Sequence, residues 1–221
     1  MSKSLSVFEK IDGPHEIFTA RKGDLRCSAI RLETGGLVLF SPVQGLGEEA
    51  IASLQELGQV EYLLAPNHYH NKGLQEYQEA FPAACLCAPA GAMACLEQKT
   101  GLVFEGLERL THLLSRGVSV LEPSGLKTGE IWISVDNRKH RTWFVVDAFS
   151  GPKGQKGAVA DTPEVLGTFP RMGVADRTLY REWAEKQLAA DNPELLVPCH
   201  GAVVRSAELT NRLRTLLRSK L

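Results

Sequence analysis

The sequence predicts an α/β chain whose main strands are buried on both faces, and three observations predict it. Leu37-Val38-Leu39-Phe40 and Trp143-Phe144-Val145-Val146 are apolar throughout. A strand without polar alternation needs helices or a second sheet on each side. Segments of helical period stand between strand-like runs, as Glu48 to Leu57 does, with Ala50, Ile51, Leu54 and Leu57 on one side. The chain has 221 residues, 43% of them apolar. That is enough for one large domain with a substantial core, so residues 1–221 are expected to form a single domain.

In order, Glu16 to Ala20 and Leu25 to Glu33 read as strands joined through Lys22-Gly23-Asp24, residues suited to a hairpin turn. Leu37 to Phe40 stops at Ser41-Pro42. The Glu48 helix carries acidic residues in its first turn and Gly58 past its end. Val60 to Ala65 is the next strand, Leu74 to Ala80 a helix ending before Pro82, Ala84 to Ala88 a short buried strand and Pro89 to Glu97 a small-residue helix. Thr100 to Arg116 reads as a polar segment, followed by a strand at Val118 to Leu121 and a loop at Pro123 to Gly129. Glu130 to Val135 and Thr142 to Val146 form a hairpin through Asp136-Asn137-Arg138-Lys139. Residues 151 to 160 are rich in Gly and Lys and read as a slack loop. Asp176 to Ala190 is a helix, Leu195 to Pro198 a short strand, and Ala207 to Leu221 an amphipathic closing helix.

Net charge excludes several classes. With 25 basic and 26 acidic residues the formal charge is −1, which offers no broad basic surface for nucleic acid. The first residues lack the apolar core of a signal peptide, and no run approaches the ~20 apolar residues of a membrane helix. Five sparse cysteines suit free thiols in a reducing compartment, so a cytoplasmic protein is expected. Cys85 and Cys87 sit inside an apolar strand and read as packing.

Candidate chemistry lies where strands end. The run Tyr62-Leu63-Leu64-Ala65 stops at Pro66 and opens into Asn67-His68-Tyr69-His70. In extended chain, side chains two apart share a direction, so His68 and His70 are expected to converge on one point. Asp147 directly follows Phe144-Val145-Val146, where an unpartnered carboxylate would be costly to bury. His200 follows Leu195 to Cys199. Two histidines and a carboxylate are a ligand set for zinc or non-haem iron. Cys199 and His200 are adjacent, point apart in extended chain and cannot pair as nucleophile and base.

These pieces, taken in order, resemble the metallo-β-lactamase fold superfamily. Its strand, helix and second strand before a His-x-His-x-Asp-His motif are similar to Leu37–Phe40, the Glu48 helix, Val60–Ala65 and His68 to Gly73. Its Gly-His-Thr-x-Gly loop, hairpin and bridging aspartate resemble Ser124 to Gly129 and then Trp143 to Asp147. Its closing helix, strand and Pro-Gly-His-Gly turn resemble Asp176 to Ala190 and Val197 to Gly201. The resemblance implies a four-layer αββα sandwich of two mixed β-sheets flanked by helices. It also implies that His68, His70, Asp147 and His200 are metal ligands. Lys72, Gly73 and Leu126 stand where the family has an aspartate, a histidine and the loop histidine. Ligands are thus missing from both of the family's metal sites. Two functions follow as expectations. One is a hydrolase acting on a small molecule with at most one Zn²⁺, Fe or Mn ion, with Asp147 and His200 also serving catalysis. The other is a metal-free binding scaffold in which Lys72 replaces the second metal beside Asp147.

Overall fold

The computed structural model describes residues 4–11, 15–138, 140–154 and 159–221. The chain forms two compact units, Met1–Arg116 and Gly117–Leu221, each built around a six-stranded mixed sheet.

In the first unit the strands are β1 (Glu9–Lys10), β2 (Ile17–Lys22), β3 (Leu25–Arg31), β4 (Leu37–Phe40), β5 (Val60–Leu64) and β6 (Cys85–Cys87). They lie in chain order across the sheet. The first four pair antiparallel, and β4, β5 and β6 run parallel. Parallel neighbours need crossovers, supplied by helices α1 (Glu48–Leu57) and α2 (Leu74–Ala80). Helices α3 (Ala90–Thr100) and α4 (Glu108–Leu113) follow. The two-sided burial expected of β4 is found: Leu37, Val38, Leu39 and Phe40 are each at most 1% exposed. Leu37 and Leu39 join a core with Ala50 and Leu54 of α1, Tyr77 of α2 and Leu96 of α3. The segment expected to be merely polar holds α4, in which Leu110 is buried, as are Leu107 and Leu114 that flank the helix.

The second unit contains β7 (Val118–Leu121), β8 (Trp132–Asp136), β9 (Arg141–Val145), β10 (Val159–Ala160), β11 (Pro193–Pro198) and β12 (Val203–Arg205), with helices α5 (Phe169–Met172), α6 (Arg177–Asp191) and α7 (Leu209–Lys220). The sheet order is β10-β12-β11-β9-β8-β7. The expected hairpin is β8–β9; Lys139 of its turn lies outside the described residues. So do 155–158 of the expected slack loop, which runs into β10. Strands β10 and β12 are short, β10 pairing with β12 in parallel and β12 also with β11 antiparallel, so no local pattern announces them. Helix α6 is capped by Asp176, whose side chain accepts the Leu179 N–H at 3.0 Å. Its Tyr180, Ala184 and Leu188 are buried, four apart. Trp132 packs with Trp143, Trp183 and Phe149 at centroid distances of 5.3–5.7 Å. Among the described residues no helix is long and apolar enough to cross a membrane.

The burial of β4 predicts a contrast. Leu39→Ala should destabilise the protein by about 2–5 kcal/mol through lost transfer energy and a cavity. Val103→Ala, at a residue 82% exposed, should stay within about 0.5 kcal/mol. Urea unfolding followed by circular dichroism measures both, and equal midpoints would contradict this account of the core.

Candidate functional site

In the first unit the polar residues gather where β4 and β5 end side by side, Phe40 opposite Leu64. The chain does not continue extended beyond β5. Asn67 is fully buried, and its side-chain oxygen accepts the N–H groups of Tyr69 (2.8 Å) and His70 (3.1 Å). Asn71 Nδ2 closes the turn by donating to the His68 carbonyl at 2.8 Å. This Asx turn overrides the alternation expected of an extended segment, because an Asn side chain offers the backbone a local acceptor. The two imidazoles therefore have different surroundings. His70 Nδ1 is hydrogen-bonded to Ser41 Oγ at 2.7 Å. His68 has its ring edge-on to Tyr69 at 4.3 Å. Its carbonyl also accepts from Lys99 Nζ at 3.2 Å, and that ammonium lies 4.9 Å from the Tyr69 ring centroid.

Ser41 is 1% exposed and sits at φ 60°, a left-handed conformation that costs a non-glycine residue about 1–3 kcal/mol. Its N–H donates to the Leu64 carbonyl at 3.0 Å, and its hydroxyl anchors His70. With Nδ1 occupied by the hydroxyl, Nε2 is the ring atom that His70 would present to a ligand.

The next residues explain the missing motif positions. Lys72 is exposed. At Gly73 a Cβ would lie 2.5 Å from the Pro42 carbonyl oxygen and 2.9 Å from the Gln44 nitrogen. Backbone occupies the space where a histidine side chain would begin.

In the second unit a second parallel pair does the same work. Strands β9 and β11 run together to Val145 and Pro198, and the Cys199 N–H donates to the Val145 carbonyl at 2.9 Å. Both chains then leave the sheet. Asp147, 8% exposed, accepts a hydrogen bond from His200 Nε2 at 3.0 Å on Oδ1. The turn after His200 is held by close backbone contact. The Gly151 N–H donates to the His200 carbonyl at 3.0 Å, and a Cβ on Gly201 would lie 2.0 Å from the Gly151 oxygen. Gly201 also has φ +84°, so glycine is needed there on both counts. Leu126, at the loop-histidine position, is half-buried and bridges to Val174.

One buried carboxyl group escaped the sequence reading. Glu130, read as the start of a strand, lies just before β8 and is 2% exposed. Its Oε1 accepts from Trp132 Nε1 (2.7 Å) and the Ala148 N–H (3.2 Å), and its Oε2 from the Asp147 N–H (3.2 Å). Burial, and then the charge of Asp147, push its carboxyl up to about 8 against the pull of those donors. Nearby, burial raises the Tyr180 hydroxyl well above the usual tyrosine range, with the Glu130 charge adding to it. A glutamate flanked by Gly129 and the apolar Ile131-Trp132-Ile133 was the only available signal, and it does not distinguish a buried carboxylate from an exposed strand end.

No family model matches the chain, and no curated protein does. Solved structures do. A metallo-β-lactamase from Pontibacter korlensis is 13% identical, the match covering 98% of this chain and 100% of that one at a TM-score of 0.68. The metallo-β-lactamase FIM-1 from Pseudomonas aeruginosa in its mono-zinc form is 13% identical over 98% of this chain and 97% of that one, at 0.63. A variant flavo di-iron protein from Thermotoga maritima is 14% identical over 95% of this chain but 62% of its own length, at 0.64. Likeness at such identities speaks to architecture alone, and by it this chain has the metallo-β-lactamase fold, the class its sequence resemblance implied.

Proposed function

We propose that this chain binds one divalent metal ion, of the zinc, iron or manganese kind, through His70, Asp147 and His200, and hydrolyses a small-molecule substrate. The observation that carries the reading is the Asp147–His200 contact: a carboxylate and an imidazole held 3.0 Å apart at the ends of two parallel strands. Two imidazoles and a carboxylate fit such an ion by donor type. Asp147 and His200 are already paired in the second unit, and the sequence resemblance adds His70 as a ligand. Ser41 supports the assignment by fixing the ring orientation of His70, as partners of ligating histidines do. In this reading His68, packed on Tyr69, stays outside the ligand set.

A bound ion of this kind supplies a Lewis acid and lowers the pKa of a coordinated water towards ~7. The chain's own residues do the rest. Ser41 holds Nδ1 of His70 so that Nε2 is the ligating atom. Asp147 accepts the His200 Nε2–H, so that nitrogen would ligate only in the tautomer that carries its proton on Nδ1. The net charge of −1 supports a small substrate over nucleic acid.

A single ion is favoured over two. Backbone blocks a side chain at residue 73, Leu126 has no donor atom, and Lys72 carries a positive charge. The metal-free scaffold with Lys72 paired to Asp147 has less support, because Lys72 is exposed while Asp147 is buried and already takes a hydrogen bond from His200.

Protein purified without a nickel column should carry about one equivalent of metal, and His70→Ala and His200→Ala should lose most of it. Elemental analysis finding less than about a tenth of an equivalent in the wild type, even after incubation with Zn²⁺, would overturn the reading. Turnover of simple esters, thioesters or lactones should stop with a chelator and return with Zn²⁺. Gly73→His should not raise the metal content and should lower the melting temperature, since inserting a side chain against the 42–44 backbone costs about 1–3 kcal/mol. A second equivalent of metal in that variant would show that the position is open.

A further inference from the structure

We propose that Glu130 is a positioning residue for the Asp147–His200 pair: its buried carboxylate accepts the N–H groups of Asp147 and Ala148 and so fixes the strand end from which Asp147 projects. The role of the pair as metal ligands rests on the reading above; the positioning itself does not.

The argument begins with the end of the sheet. The last rung shared by β9 and β11 is the Cys199 N–H to the Val145 carbonyl. Beyond it Asp147 and Ala148 have left the ladder, yet both are buried, at 8% and 0% exposure. Buried backbone N–H groups need acceptors, and here one side chain serves both, at 3.2 Å each. The carboxylate is itself held. Trp132 Nε1 donates to it at 2.7 Å, and the Trp132 ring is packed among Trp143, Trp183 and Phe149. A continuous set of fixed contacts thus runs from the aromatic cluster through Glu130 to the backbone of Asp147, whose carboxylate meets His200. An apolar residue at 130 would fill the space at lower desolvation cost but would leave both N–H groups unpaired. A carboxylate is retained at a place where its geometry acts on the residue that carries the candidate ligand. Small losses in such orienting contacts typically weaken a metal site tenfold or more.

The test is Glu130→Gln, which keeps the size but turns an N–H₂ group towards one of the donors. Metal-free wild type and variant are compared by the ¹⁵N signal of His200 Nε2, and both are titrated with Zn²⁺ by calorimetry. The variant should keep a dispersed amide spectrum, lose the hydrogen-bonded position of the His200 Nε2 signal and bind Zn²⁺ at least about tenfold more weakly. An unchanged His200 signal in the folded variant overturns the inference. A His200 signal that moves while the wild type takes up no Zn²⁺ sustains the positioning role and removes the metal reading instead. Should Glu130→Gln fail to fold, amide exchange in the wild type decides: slow exchange at Asp147 and Ala148 supports the contact, and exchange at the rate of an open loop overturns it.

Discussion

Parallel pairing between buried strands is the constraint on which the polar residues of both units depend. A strand buried on both faces has no side along which to carry a polar group, so polarity can enter only at its tip. When two such strands run parallel, their carboxyl ends emerge together. Strands β4 and β5 end at Ser41 and at the Asn67 turn; β9 and β11 end at Asp147 and His200. Each unit thereby gains a pair of polar residues in hydrogen-bond contact without interrupting its sheet. The carboxyl ends of parallel strands are a common place for ligand sites for this reason.

The cost of building these tips is visible in the backbone. Ser41 is held in the left-handed region, a strain that tertiary contacts must offset. A Cβ on Gly201 would meet the Gly151 oxygen, and one on Gly151 the Ala202 oxygen, so neither position has room for a side chain. Glu130 brings a carboxylate into the interior, where burial opposes its charge. Local structure that is unfavourable by itself and is held by its surroundings tends to collect around functional groups.

The same packing explains what this chain lacks relative to the pattern it resembles. Gly73 allows the start of α2 to lie against residues 42–44, the loop that follows β4. A histidine there would push the helix away from that loop. The change is therefore built into the fold as well as into the chemistry. Lys72, one residue earlier, is exposed and has no such structural demand on it.

Much of the architecture could be read from residue order alone. The unbroken apolar runs Leu37–Phe40 and Trp143–Val146 specified strands with two buried faces, because no other placement satisfies so many large side chains. The spacing in Glu48–Leu57 and Leu74–Ala80 specified helices at the bounds observed. The strand-end residues His68, His70, Asp147 and His200 stood out because polar groups directly after apolar runs have few packing explanations. Tertiary structure decided the rest. It folded the segment holding His68 and His70 into a turn around the buried Asn67, paired the two-residue strand β10 with β12, and made an acceptor of Glu130 for amides 17 and 18 residues away. Periodicity reports a residue's relation to its near neighbours along the chain, whereas these contacts join segments whose separation no local pattern records.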